Sequence, residues 1–237
     1  MKNVIFILSG NCRTYNDCIE SIYTHVISKL FSQDVKIFIY LYLKLSDPGP
    51  KGQQGWDYEY KQCDYNVILE EIHKIKTNYP MLNIEYKLLP GDEISDNDLL
   101  AQVKDRSLYN GFYAEDKKLL RGLHCHYNFE KCGNYILEKE TSIQCKFDYI
   151  IYVRPDLYFF DSCNNITTFD TSKIITGTTD HIAIVPRNHI NAFFFDRMNI
   201  YRNNTEKYFT MAEDVWLHTL TNIVEMGNIG KYYIKRT

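Results

Sequence analysis

Through residue 153 the sequence alternates short apolar, aromatic-rich runs with longer stretches of helical periodicity, and few folds accept a chain written this way. Val4 to Leu8, Val35 to Tyr42, Ile84 to Leu89 and 147–153 read as strands. Ile19, Ile22, Tyr23, Val26, Ile27 and Leu30 fall on one helical face, and so do Ile68, Leu69, Ile72 and Ile75. Thr14 followed by Asp17, and Ser95 followed by Asp98, have the spacing of capping boxes. A longer helix is expected over 115–140, with Gly133 as a candidate break. Strands that alternate with helices join by crossovers, so the sheet should be mixed but mostly parallel and flanked by helices. Beyond 153 the pattern shortens to strands near Ile174 and 181–185, helices over 188–201 and 211–225, and a last strand over 231–234.

Sheets of this kind bind ligands outside the carboxyl ends of their strands. The tips to watch are therefore Ser9–Thr14, 42–60 and Arg154–Asp156. The stretch 46–60 carries Gly, Pro and Trp56 without periodicity, which suits a binding loop. A length of 237 residues with 45% hydrophobic content supports one large α/β domain or two small ones. Expected here is a single domain over 1–237, in two halves at 1–153 and 154–237. A net charge of −3 gives no broad attraction to nucleic acid or to an anionic membrane. No run approaches the ~20 apolar residues of a membrane helix, and the opening "MKNVIFILSGN" is short for a secretory leader. The seven cysteines are accordingly expected as reduced thiols, in a cytoplasmic protein.

Three segments have the residues for chemistry. "SGNCRT" at 9–14 joins the first strand to the first helix; Gly10 permits a tight turn, backbone amides can hold an anion, and Arg13 adds charge. It matches neither a dinucleotide fingerprint nor a P-loop. "RPDLY" at 154–158 interrupts an apolar strand. Pro155 stops ladder pairing, and Asp156 projects where a carboxylate can hold Mg²⁺ or Mn²⁺ against a diphosphate. The alternative is a mutual Arg154–Asp156 pair; the binding role is the better reading. In "TMAEDVWLH" at 210–218, Thr210 and Glu213 match a capping box, which leaves Asp214 as the candidate general base. In "LHCHYNFEKC" at 123–132, His124 and His126 point about 200° apart on a helix, which argues against a shared zinc ion. Arg121 lies one turn before Cys125, and Asp180 and His181 open an inner strand near the site.

Together "ILSGNCRTYNDCIESI", "VKIFIYLY", "FDYIIYVRPDLYF" and "AEDVWLHTL" resemble nucleotide-sugar glycosyltransferases of GT-A fold, most of all those that build capsid glycans in large DNA viruses of algae. The likeness runs from residue 3 to about 225. It implies a Rossmann-like GT-A sheet, a UDP-sugar donor, a glycan acceptor, Mn²⁺ or Mg²⁺, and further enzyme domains in a longer chain. By that analogy Ser9, Gly10, Asn11, Arg13, Tyr40, Arg121 and Arg154 face the nucleotide, and Asp156 ligates the metal. Asp214 or Glu213 would then take the acceptor proton in an inverting displacement. The family's usual element is Asp-x-Asp, whereas here Arg154 and Tyr158 flank Asp156, so a single carboxylate would carry the metal. By the same analogy the half at 1–153 binds the nucleotide and the half at 154–237 the metal and acceptor. A non-catalytic nucleotide- or glycan-binding module of the same fold is the alternative.

Overall fold

The computed structural model describes residues 1–12, 14–31, 34–45, 63–109, 116–162, 172–177, 181–227, 229 and 231–234. The chain forms two compact units. The first takes Met1–Gly91, Lys146–Arg187 and Glu225–Thr237; the second takes Asp92–Cys145 and Asn188–Val224. The units are thus interleaved along the chain, and position 153 falls inside the first.

The first unit opens with β1 (Lys2–Asn11), α1 (Tyr15–His25), β2 (Val35–Lys44), α2 (Tyr65–Asn78) and β3 (Asn83–Leu89). After the second unit's first segment come β4 (Tyr149–Val153), β5 (Leu157–Phe159), β6 (Ile174–Thr176) and β7 (Ile182–Pro186). The strands β8 (Val224–Met226) and β9 (Tyr232–Ile234) complete the unit. The seven-stranded sheet has the order β3-β2-β1-β4-β7-β6-β8, and β5 pairs with β9 in a separate ribbon. From β3 through β4 every pairing is parallel; β7 then runs antiparallel to both β4 and β6. The sheet is the mixed, mostly parallel one expected. β4 is buried throughout and β1 from Val4 to Ser9, which is why these stretches are nearly continuous apolar runs and do not alternate. β3 lies at the edge, and its exposed Glu85 and Lys87 mark it so.

Local signals mostly hold. Asp64 caps α2, its carboxylate accepting from the Asn66 N–H at 2.8 Å. Thr14 is the N-cap of α1 but makes no side-chain capping bond. Its hydroxyl accepts from the Cys18 thiol at 3.8 Å, so the Thr14–Asp17 box is not formed. Ser21, buried on α1, accepts the Phe159 N–H at 3.0 Å and so fixes β5 against the helix.

In the second unit Ser95 caps α3 (Asp96–Leu100) as expected, its Oγ accepting from the Asp98 N–H at 3.2 Å. Its hydroxyl donates to Asp98 Oδ2 at 2.6 Å in place of the reciprocal backbone bond of a full box. The long helix α4 (Asp116–Ile143) continues unbroken through Gly133. A side chain there would meet the Phe195 ring at 2.6 Å and Phe194 Cβ at 2.8 Å, so this glycine permits close packing and does not end the helix. The helix expected over 188–201 begins as a 3₁₀ turn at Arg187–His189, widens to a π-turn at Asn191–Phe195, and settles as α5 (Asp196–Asn203). α6 (Ala212–Leu220) stops five residues before the expected 225. Asn222 takes φ 70°, and Val224–Met226 is strand. Arg197 is fully buried, its guanidinium 4.1 Å from the Phe129 ring centre and 4.8 Å from that of Phe193.

Candidate functional site

In the first unit the chain leaves β1 toward β2 on one side, while β4 lies on the other. The carboxyl ends of β1 and β4 therefore border the point where strand order reverses, the usual crevice for a ligand. The last paired residues are Leu8 and Val153, so the two tips emerge side by side. Gly10, at φ 145°, adopts a conformation that L side chains rarely take, and a Cβ there would stand 3.2 Å from Pro155 Cδ. Ser9 is buried, and its carbonyl accepts from the Tyr152 hydroxyl at 3.2 Å. Asn11, the last residue of β1, is half-buried. Arg13 lies outside the described residues, as do the 46–60 stretch with Trp56 and Asp180.

Pro155 and Asp156 form a turn closed by the Leu157 N–H on the Arg154 carbonyl at 3.4 Å, and Pro155 at its second position suits that geometry. The Arg154 N–H donates to the His181 carbonyl at 2.9 Å, tying the tip to the start of β7. The side chains of Arg154 and Asp156 then pair through two bonds. Nε donates to Oδ1 at 3.0 Å and Nη2 to Oδ2 at 2.8 Å. The mutual pair, the alternative set aside from sequence, is what forms. Asp156 keeps only 6% of its side chain exposed against 24% for Arg154, so the outward-facing charge of the tip is the guanidinium.

This donor set does not fit a resident divalent cation. Both Asp156 oxygens already accept from a cation, and the described residues contain no group of three acidic, His or Cys side chains that could hold a metal. Tyr40 lies four residues before the end of β2, opposite Ile7, well down the strand from the tips.

The remaining expected site residues belong to the second unit. Arg121 is exposed on α4. On α6 the two acidic residues exchange the roles expected of them. The N-cap is Met211, and it is Asp214, three residues on, that closes the box. One Asp214 oxygen accepts from the Thr210 N–H and the Met211 N–H, both at 3.1 Å, and from the Thr210 hydroxyl. Those bonds to Thr210 hold its carboxyl below the usual carboxylate range. Glu213 takes no part in the cap and is exposed. The spacing Thr210–Glu213 misled because the helix begins one residue later than the box implies. His124 sits between Asp92 (3.3 Å) and Asp96 (2.8 Å), while His126 is buried and held neutral, since burial and then Arg197 push its pKa well down.

Replacing Asp214 by Ala is expected to cost about 1 kcal/mol at neutral pH, the usual worth of a capping group, with solvent screening already limiting its ionic part. Because the folded carboxyl is depressed, this contribution is present above the unfolded carboxylate pKa and disappears as pH falls through the folded one. Urea unfolding of wild type and D214A at neutral and strongly acidic pH measures it. An equal gap at both pH values would contradict the capping role.

His181, expected near the site, braces the Arg154 tip with its carbonyl, whereas Tyr152, which braces the β1 tip through Ser9, was not foreseen. Tyr152 was hidden in an apolar run, where only its hydroxyl signals a polar partner.

No family model matches the chain, and no curated protein matches it in sequence. Similar solved structures do exist. The glycosyltransferase GlyE of Streptococcus pneumoniae TIGR4 aligns with 96% of this chain and 45% of its own, at 9% identity and a TM-score of 0.42. An active-site variant of LgtC aligns over 95% of this chain and 72% of its own, at 8% identity and a TM-score of 0.48. The bifunctional glycosyltransferase WbbM gives 95% and 38%, at 9% identity and a TM-score of 0.45. The chain spans under half the length of GlyE and of WbbM. Likeness this distant decides neither family nor activity.

Proposed function

We propose that the chain is a glycosyltransferase of GT-A-like fold that moves a sugar from a UDP-sugar to a glycan hydroxyl. The observation that carries this reading is the switch-point crevice between the β1 and β4 tips, where Gly10 and Pro155 bring Ser9, Asn11 and the Arg154–Asp156 turn together. Transfer breaks the bond between the anomeric carbon and the β-phosphate oxygen and forms one to the acceptor oxygen. The leaving diphosphate then gains charge, and the acceptor loses a proton. Arg154, held by Asp156, offers a fixed cation for that charge, and backbone amides at the β1 tip add donors. Asp214 or Glu213 is supported by the sequence resemblance as the acceptor base of a displacement with inversion, and Glu213 is the one that does not cap α6. The sequence resemblance supports capsid or surface glycan synthesis in the cytoplasm as the setting.

One observation favours a second reading, a binding module without turnover: Asp156, expected to ligate the metal, and Asp214, one of the two expected bases, both have structural partners. Calorimetric titration with UDP, with and without Mn²⁺, followed by an assay for UDP-sugar cleavage, separates the readings. UDP binding of similar strength in both conditions is expected. Binding that requires Mn²⁺ would mean that the Arg154–Asp156 pair opens to release a ligand. Binding without turnover, toward a panel of acceptor glycans, supports the module, and no binding at all ends both readings.

A further inference from the structure

The helix α5 (Asp196–Asn203) buries Arg197, Met198 and Tyr201 on one face. On the other, Asp196, Asn199, Ile200 and Asn203 follow the i, i+3, i+4, i+7 spacing and line an open cavity of about 400 Å³. The loop after the helix builds the opposite wall. Asn204 brackets Lys207, its side-chain oxygen accepting from the Lys207 N–H at 3.0 Å and its amide donating to the Lys207 carbonyl at 2.7 Å. Phe209, buried and stacked on Tyr109 at 5.8 Å, anchors that loop to the core of the second unit. Lys207 Nζ reaches Nδ1 of His218 on α6 at 2.6 Å. An ammonium only donates, so Nδ1 accepts and the ring proton sits on Nε2.

The two walls thus carry opposite halves of hydrogen-bond chemistry. On α5 the Asn199 amide donates to Asp196 Oδ1 at 3.4 Å, and the Asn203 amide to the Asn199 backbone carbonyl at 2.9 Å. Asp196 Oδ2 and the side-chain oxygens of Asn199 and Asn203 accept from no group among the described residues. These acceptors are spread along about 10 Å of helix. Across from them Lys207 keeps further N–H groups and His218 its Nε2–H, with Ile200 as apolar surface between.

We propose that this cavity binds a short neutral oligosaccharide. A simple anion would meet Asp196 and a simple cation Lys207, so neither suits both walls. A small zwitterion would satisfy the two charges and leave the Asn199 and Asn203 oxygens unserved. A row of hydroxyls donates to the α5 oxygens, accepts from Lys207 and His218, and lays its C–H face on Ile200. The site shares no residue with the crevice at the β1 and β4 tips, and the inference does not depend on the glycosyltransferase reading.

The test is an amide-resolved NMR titration of the purified chain with maltotriose, cellotriose and triacetylchitotriose, in excess UDP so that a nucleotide-binding crevice is already filled. The expected result is a saturable shift of amides in 196–209 and 216–220 with at least one of the three sugars. Asn203→Ala and Lys207→Met change exposed side chains and should leave the fold intact, while each weakens that binding by about tenfold, the worth of one strong hydrogen bond. No saturable shift with any of the sugars would overturn the proposal. So would shifts confined to 9–11 and 152–157, which would put the sugar in the first unit. Unchanged affinity in both variants, or binding of glycine and of no sugar, would overturn it as well.

Discussion

Arg154→Met should destabilise the first unit by about 3 kcal/mol, because it strands an almost fully buried carboxylate without its two donors. The reverse change, Asp156→Leu, leaves a guanidinium that is partly exposed and can turn to water, so its effect should be about half as large. The double variant should recover most of the loss, since apolar replacement of an ion pair is close to neutral in stability. Chemical denaturation of the four proteins gives the coupling energy directly. The same four proteins separate structure from function. If the restored double variant no longer binds UDP, the guanidinium serves the ligand as well as the fold. If it binds UDP unchanged, the pair is private to the protein and the crevice must bind through Ser9, Asn11 and backbone groups.

Gly133→Leu is the second large effect, placed in the other unit. Its Cβ would overlap Phe194 Cβ, an atom fixed to backbone, as well as the tip of Phe195. The gain of about 1 kcal/mol from removing a helical glycine is outweighed by overpacking, and a net loss of about 2–3 kcal/mol is expected. Hydrogen exchange should quicken in α4 and across 191–203, while amides of β1, β2 and β4 keep their protection. A variant as stable as wild type would show that the π-turn can slide away from α4.

How much of this was legible beforehand depends on the range of the interaction. β2, β3 and β4 lie within two residues of their expected bounds, and β1 runs three residues past its expected end. β1, β2 and β4 are legible because burial on both faces writes itself as an uninterrupted apolar run. The caps of α2 and α3 need only groups two or three residues apart, and α3's was readable. Asp214 shows the limit of such signals. A one-residue shift in where α6 begins moved the capping duty from Glu213 to Asp214, and with it the identity of the unengaged carboxylate. Arg154 and Asp156 were correctly placed at a strand tip, yet whether two charges face a ligand or each other is decided by a turn and by the depth of burial. The antiparallel entry of β7 leaves no periodic trace, since it joins distant stretches of chain.

The interleaving of the two units also bears on how the molecule comes to be made. β1 finds its partner β4 only when Tyr149 can lie opposite Val4, and β5 waits for β9 near the end of the described chain. A nascent polypeptide emerging in order would carry an unpaired flank of β1 through the whole synthesis of the second unit's first segment. Such long-range closure slows folding and leaves apolar strand surface open to other chains. The burden on chaperones during translation is therefore set by the order in which the segments of the first sheet arrive.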